Sequence, residues 1–557
     1  MTRDAIGRVL QYHDRTKHHL NRYARSLGYM DWATQPDPFR RFDGAPKLAL
    51  DHPALSEQPS YDSLFEPNSV EPEPVDRQSV SRLFYDSLAL SAWKQAPGTK
   101  PWSLRISPSS GALYPTEGYL VAGPVDQLST QAAVYHYSPY DHALEQRIEL
   151  TVDEWNELAA QLPAGCVLLA LTSIYWRESW KYGERAFRYC NHDVGHAIGA
   201  IALSAAMLGW RTRMVGTVTD EQISVLLGVH QQEGMEAEHP DCLLAVYPRD
   251  DTRERQSVDL RLTVAMVERL RAAEFAGTPN RLSPDHHPWP LIDEVSQATR
   301  REAPTVQLGN DDALSGEART QPIVTTFQDR NLSAQQIIRQ RRSAVDMDGR
   351  TTMDRDVFYR LLTRLTPCDQ PPFDVLPWRP RVSLALFVHR VEGISPGLYV
   401  LIRHPSHERS LRDNFKQEFV WEEPPGCPGS LNLRLLMEAD CRQAAEAISC
   451  GQSIASAGVF SLGMLAEFNS SIEEQGAWFY PRLFWETGLV GQVLYLEAEV
   501  TGLRGTGIGC FLDDAMHDIL GIQGADWQSL YHFTVGGPVE DPRLKTIPPY
   551  AHLEARH

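Results

Sequence analysis

The sequence predicts an α+β protein made of two unequal copies of one fold, each a mixed central β-sheet flanked by helices. Three observations carry this: a register of glycines, a second match upstream of it, and an alternation of strand-like and helical patterns. Gly195, Gly209, Gly216 and Gly228 recur as Gly488, Gly502, Gly509 and Gly521, all at an offset of 293 residues without a gap. Each segment reads as a long apolar helix, a glycine-terminated turn, a short strand and a second helix ending at glycine. Upstream, Asp76-Arg77 and Arg82-Leu83 recur as Asp354-Arg355 and Arg360-Leu361, at an offset of 278. Apolar runs beginning at Tyr119, Val167, Leu243, Leu384 and Phe533 alternate with longer helical patterns, as strands between packing helices do.

In chain order, residues 1–64 form a polar, aromatic-sprinkled N-terminal extension and 65–280 the first copy. Residues 281–325 read as a surface connection rich in Pro, Asp, Ser and Gly, with the boundary near residue 300, and 326–557 as the second copy. A chain of 557 residues exceeds what one hydrophobic core usually organises, in keeping with this division. The stretch Val194–Trp210 is uncharged to its last residue but shorter than the roughly 20 residues a membrane span needs, so it is expected as a buried helix. The N-terminus carries charge and no apolar stretch of a secretion signal, which makes the cytosol the expected compartment. A net charge of −19 argues against nucleic acid and anionic membrane as partners, since both require clustered cations. The eight cysteines are scattered without a CxxC, so they are expected reduced and mostly packed in the interior.

Two segments draw attention for their chemistry. Ser333-Ala-Gln-Gln336 opens a helix that ends in Arg339-Gln-Arg-Arg-Ser343, where arginine forks suit a phosphate and the serine hydroxyl a polyol or ring carbonyl. A solvated basic helix end fits the same run equally well. Ser107-Pro-Ser-Ser-Gly111 is a small-residue loop that a flat ring could approach closely, and also an ordinary Ser/Pro turn. His192-Asp193-Val-Gly-His196 mimics a zinc helix motif, but the matched Trp485–Leu489 has no histidine and the internal glycine suits tight helix packing, so no metal is expected.

Residues 105–121 (RISPSSGALYPTEGYLV), 181–189 (KYGERAFRY), 193–210 (DVGHAIGAIALSAAMLGW) and 339–349 (RQRRSAVDMDG) together resemble the FMN-dependent nitroreductase superfamily. Within it they are most similar to the SagB-type dehydrogenases, which oxidise azolines in modified peptides to azoles. The resemblance covers about residues 70–250 and 330–550. It implies an intrachain pseudo-dimer with one FMN per chain at the junction: Arg341, Arg342 and Ser343 on the phosphate and ribityl side, and Pro108, Ser109, Ser110 and Gly111 reaching across from the other copy. The 278 offset places Ser63 and Phe65 where the first copy would need Arg and Ser, and the second copy lacks a Pro-Ser-Ser loop, so the other site is expected dead.

By the same resemblance, Ile508, Gly509 and Cys510 line the flavin N5 and pyrimidine edge, and Arg543 and Lys545 supply a basic segment near the phosphate. Lys181 and Tyr182 are the implied proton acceptor, as lysine or tyrosinate. The implied activity is an FMN-dependent dehydrogenase or oxidase acting in biosynthesis on a small-molecule or modified-peptide substrate such as an azoline, with oxygen as acceptor. The alternatives are a nitroreductase or quinone reductase using NAD(P)H, and a non-catalytic binding scaffold. Further oligomerisation is left open.

Overall fold

The structure is a computed structural model, and it describes residues 2–250, 258–304 and 332–554. The chain begins with helix α1 (Thr2–Arg15) and α2 (Arg77–Tyr85). Strands β1 (Thr116–Ala122), β2 (Ala133–Ser138), β3 (Ala143–Glu149) and β4 (Val167–Ser173) follow, then α3 (Tyr175–Tyr182), α4 (Ala186–Met207), β5 (Trp210–Met214), α5 (Asp220–Leu227), β6 (His239–Pro248) and α6 (Pro290–Ala298). The second half runs α7 (Ala334–Gln340), α8 (Arg355–Arg364), β7 (Val382–Val388), β8 (Gly397–Leu401), β9 (Leu433–Glu438) and β10 (Phe460–Glu467). It ends with α9 (Asn469–Gln475), α10 (Tyr480–Val500), β11 (Arg504–Ile508), α11 (Asp513–Leu520) and β12 (Trp527–Gly536). Moving β4, α4 and α5 forward by 293 residues reproduces β10, α10 and α11 to within a residue at each end.

The two sheets share one strand order. The first is β3-β2-β1-β4-β6-β5, extended by residues 47–49 beside β3, and the second is β9-β8-β7-β10-β12-β11. Every neighbouring pair in both is antiparallel. The mixed character expected of each sheet survives only at a distance. The crossover through α4 makes β4 and β5 run the same way, but β6 enters between them and pairs antiparallel with both.

Sheet strands are apolar on both faces because helices or the partner half cover each side. In β4, Leu169 and Leu171 face the central core while Leu168 and Ala170 face an outer cluster with Ile223 and Leu226 of α5. The second sheet has its own outer cluster, which includes Phe387, Leu465 and Met516. The central core is continuous between the halves, and α4 and α10 cross in its middle, every residue of α4 being buried.

Glycine makes that crossing close. A Cβ at Gly195 would fall on the Trp485 carbonyl, and one at Gly488 on the His192 carbonyl, so the contact is reciprocal under the 293 offset. Gly209, Gly228, Gly502 and Gly521 all take positive φ just past helix ends, which explains their register.

The connection between the halves is not all surface loop. Pro290–Ala298 is the helix α6, with Leu291, Ile292 and Val295 buried and α1 against it. Spaced apolar residues outweigh the surrounding Pro and Asp. The rest of the expected connection, 305–325, lies outside the described residues. No helix among the described residues is long and apolar enough to cross a membrane.

Candidate functional site

The site is built where α7 of the second half meets the loop 105–114 of the first. Ser333 caps α7 by accepting from the Gln336 amide, and Arg341 closes its C-terminal end. The Arg341 side chain, 3% exposed, donates from Nε to the Ile106 carbonyl at 3.2 Å and from Nη2 to the Arg105 carbonyl at 3.1 Å. Arg342 Nη2 reaches the Ser91 carbonyl at 3.0 Å, and its amide donates to Glu499 Oε1 at 3.1 Å. Ser343 Oγ donates to the Tyr495 hydroxyl at 3.0 Å, which also accepts the Gly507 amide at 2.9 Å. The segment Ser343–Ala344 bridges Gly505 on β11, so the arginines stand at the edge of the second sheet.

Across from them, Pro108 is buried and Ser109 Oγ accepts from the Tyr114 amide at 2.8 Å while facing Glu178 Oε1 at 3.4 Å. The Ser110 amide donates to Asp193 Oδ1 at 3.3 Å. Gly111 has a φ of +65°, and a Cβ there would come 2.8 Å from the Tyr182 hydroxyl and 3.0 Å from Lys181 Nζ. The loop, Lys181, Tyr182, Glu178 and Asp193 therefore form one cluster, with α3 supplying the first acid and α4 the second.

Burial decides the charges here. The Asp193 carboxyl is pushed up to about 8 by burial. Glu178 is raised well above the carboxylate range by burial and then by Asp193 beside it. Asp193 Oδ2 and Glu178 Oε2 are buried without a hydrogen-bond partner among the described residues. Tyr182 is raised well above its usual value by burial and by Glu178, so the expected tyrosinate does not form and the phenol keeps its proton. On the other side, burial, then Arg341 and Arg504, bring Arg342 down to about 10. Glu499 is the acid among these cations, and it pairs with Arg504 at 3.2 Å.

Ile508 ends β11, and Gly509 follows with its carbonyl accepting from Tyr189 at 3.0 Å and Arg185 Nη2 at 3.2 Å. The tyrosine rings of Tyr189 and Tyr531 lie where side chains on Gly509 and Gly507 would project. Cys510 comes next and meets Cys450, 60 positions away in sequence, with the sulfurs 3.0 Å apart. Both are free thiols, and their pairing was invisible to spacing rules.

Two expected members stand elsewhere. Arg543 is exposed and held by Asp541, two residues before it, at 2.8 Å; Lys545 is exposed on the short strand Lys545–Ile547 beside Leu90–Gln95. The nearby acid captures the arginine, and Arg504 takes the place beside Arg341 and Arg342. The two histidines also separate: His192 Nδ1 lies 3.0 Å from Thr487 Oγ1, and His196 Nε2 lies 3.2 Å from the Tyr531 hydroxyl. No group of three or more metal-ligating side chains occurs among the described residues.

The N-terminal extension completes the enclosure. Arg185 Nη1 donates to the Thr16 carbonyl at 2.6 Å, the His18 amide donates to Asp513 Oδ2 at 2.9 Å, and the Glu184 amide donates to the Arg25 carbonyl at 2.9 Å. Residues 16–25 thus run along Gly183 and Gly509. Nothing periodic in that segment announced such a course.

Residues 69–246 match the Nitroreductase family. A curated relative, "Putative nitroreductase MJ1384" of Methanocaldococcus jannaschii, is 31% identical over 128 residues, 22% of this chain and 64% of the relative's length. The crystal structure of a nitroreductase so described from Anabaena variabilis superposes over 96% of this chain and 99% of its own, with a TM-score of 0.66 at 21% identity. An E. coli microcin synthetase McbBCD chain aligns with 45% of this chain at 17% identity and a TM-score of 0.26. The chain therefore has the nitroreductase fold, and its residues 69–246 carry a nitroreductase-family domain.

Proposed function

We propose that the protein is an FMN-dependent oxidoreductase with a single composite flavin site, acting as a dehydrogenase on a peptide-derived or small-molecule substrate such as an azoline. The observation that carries this is the reach of Arg341 from the second half to the carbonyls of Arg105 and Ile106, which start the Pro108–Gly111 loop of the first. The donor set suits a phosphate: Arg341, Arg342 and Arg504 crowd one another around Glu499, with Glu540 reaching Arg504 from outside, and an added anion relieves the remaining repulsion. FMN would supply the two-electron acceptor.

The chain's own residues supply the rest. Arg341, Arg342 and Ser343 would hold the phosphate and ribityl end, Pro108 to Gly111 would cover the ring, and the amides following Ile508 would face its edge. Asp193 joins Lys181 as the proton-accepting group in place of Tyr182, with Glu178 beside it kept protonated by burial, and a carboxyl titrating at about 8 is well matched to taking a proton near neutral pH.

The scaffold reading has two observations on its side. Arg341 and Ser343 already spend donors on protein groups, and the Tyr189 and Tyr531 rings lie over Gly509 and Gly507. The absorption spectrum of the purified chain with added FMN separates the two: one FMN per chain is expected, and none bound would leave the scaffold. Arg341→Ala should weaken FMN binding by about 10- to 100-fold, the range of a lost charge-assisted hydrogen bond. Asp193→Asn should keep FMN and lower substrate oxidation by about 100-fold. Lys181→Ala separates the dehydrogenase from a reductase using NAD(P)H, which would keep full NAD(P)H consumption and show no separate substrate oxidation to lose.

A further inference from the structure

Cys450 and Cys510 are far apart in sequence but their sulfurs lie 3.0 Å apart, closer than two unbonded sulfurs normally pack and within easy reach of a bond of about 2.05 Å. The meeting is built into the backbone. The Leu512 amide donates to the Ile448 carbonyl at 2.7 Å, and Gln452 Nε2 donates to the Cys510 carbonyl at 3.0 Å, so hydrogen bonds tie the two turns together on both sides of the thiols. Cys450 holds a φ of 56°, a conformation that non-glycine residues rarely adopt. Neither thiol is sealed in the core: both are half-buried, unlike Cys166, Cys190, Cys242 and Cys441.

The surroundings divide the pair into unequal partners. The Cys510 thiol is brought down to about 5 by the Cys450 hydrogen bond, with His18 and Arg185 adding to it. Cys450 moves the opposite way, because it keeps the proton that it shares with Cys510 and because it is partly buried. Cys510 thus has the character of an attacking thiolate and Cys450 of a resolving thiol.

We propose that Cys450 and Cys510 are a reversible dithiol–disulfide centre, oxidised by small disulfides at the turn that follows β11. The Cys510 thiolate attacks one sulfur of the small disulfide, whose S–S bond breaks and expels a thiolate. Cys450 passes its proton to that thiolate and attacks Cys510 Sγ, forming the internal bond and expelling the second thiolate. The protein loses two electrons and the small disulfide gains them, leaving as one thiol and one thiolate that takes its proton from water. This does not depend on the flavin reading, since the geometry and the chemistry lie within the chain. Its consequence is local: closing the bridge removes a negative charge beside Arg185 and His18, next to Gly509.

The test uses the full chain with bis(2-hydroxyethyl) disulfide, followed by acid quench, alkylation and mass mapping. The expected product is a peptide pair joined through Cys450 and Cys510, reversed by dithiothreitol, formed about 10-fold or more faster than any adduct on Cys427, which is also half-buried but has no thiol beside it, or on the more buried Cys368. Cys450→Ser should trap the small thiol on Cys510, and Cys510→Ser should leave Cys450 as slow as Cys427. Independent adducts on Cys450 and Cys510 in the unmutated chain, without the joined pair, would overturn the proposal whatever the variants do.

Discussion

At Asp193 the cost of burying a carboxylate becomes measurable. Its carboxyl titrates at about 8 in the folded chain against about 3.9 in an unfolded one. The folded form keeps a proton that the unfolded form has given up. The stability this lends is complete below about pH 4 and is lost as pH rises from there to about 8. Asp193→Asn should therefore flatten the fall in stability across that range in denaturant titrations. A slope remains from Asp241, which burial also pushes up to about 8. A variant profile parallel to the parent at every pH would refute the burial argument. The same residue carries the proposed proton transfer, so the pH at which the fall in stability levels off and the midpoint of the activity profile should both lie at about 8.

The α4–α10 crossing is the element on which the two halves depend. The backbones touch at Gly195 and Gly488, where any side chain would land on a carbonyl of the other helix. Gly195→Ala and Gly488→Ala should each destabilise the chain by about 1–3 kcal/mol, because the helices must separate to admit a methyl group. Gly199→Ala is the milder comparison: its new Cβ would lie 3.1 Å from Cβ and Cγ of Gln492, against 2.2 Å from a backbone carbonyl at Gly195 and Gly488. Equal losses at Gly199 and Gly195 in urea unfolding would show that the crossing is not limited by backbone approach. The reciprocity of 195 with 488 and 192 with 485 predicts that the two glycine variants lose similar amounts.

For the whole molecule, the edge strand β5, which corresponds to β11 of the candidate site at the 293 offset, is occupied by protein groups. Arg213 of β5 donates from Nη1 to Asp374 Oδ2 at 2.6 Å and to the Asp374 carbonyl at 2.9 Å, and Phe373 beside it is buried. The segment Asp62–Phe65, opposite α7 in sequence, is packed in a small core with Ile337 and Ile338. One FMN per chain is the proposed stoichiometry on this ground. Ser63→Ala, at the position matched to Arg341, should leave FMN binding unchanged while Arg341→Ala weakens it. Two bound FMN per chain by absorbance and protein assay would contradict the single composite site.

The repeat and the helical nature of 186–207 were legible in the sequence because glycine spacing and apolar periodicity are local properties: a helix cap needs positive φ and a close crossing needs a missing side chain wherever the chain goes. The Pro108–Gly111 loop and the Arg341 helix end could be named for the same reason, by residue type. What they touch could not. Glu178 and Asp193 sit on different helices and acquire their shared chemistry only from a common burial, which depends on tertiary packing. Arg543 was expected near the phosphate, but Asp541 holds it at the surface, and Arg504, which no motif singled out, stands in the cluster beside Glu499. The sequence by itself determined the glycine repeat, the buried helix it begins in and the residue types of the candidate site elements. The tertiary structure alone decided which carboxyls hold protons, which cysteines meet and where the N-terminal segment closes the site, because each of those depends on groups brought together from distant parts of the chain.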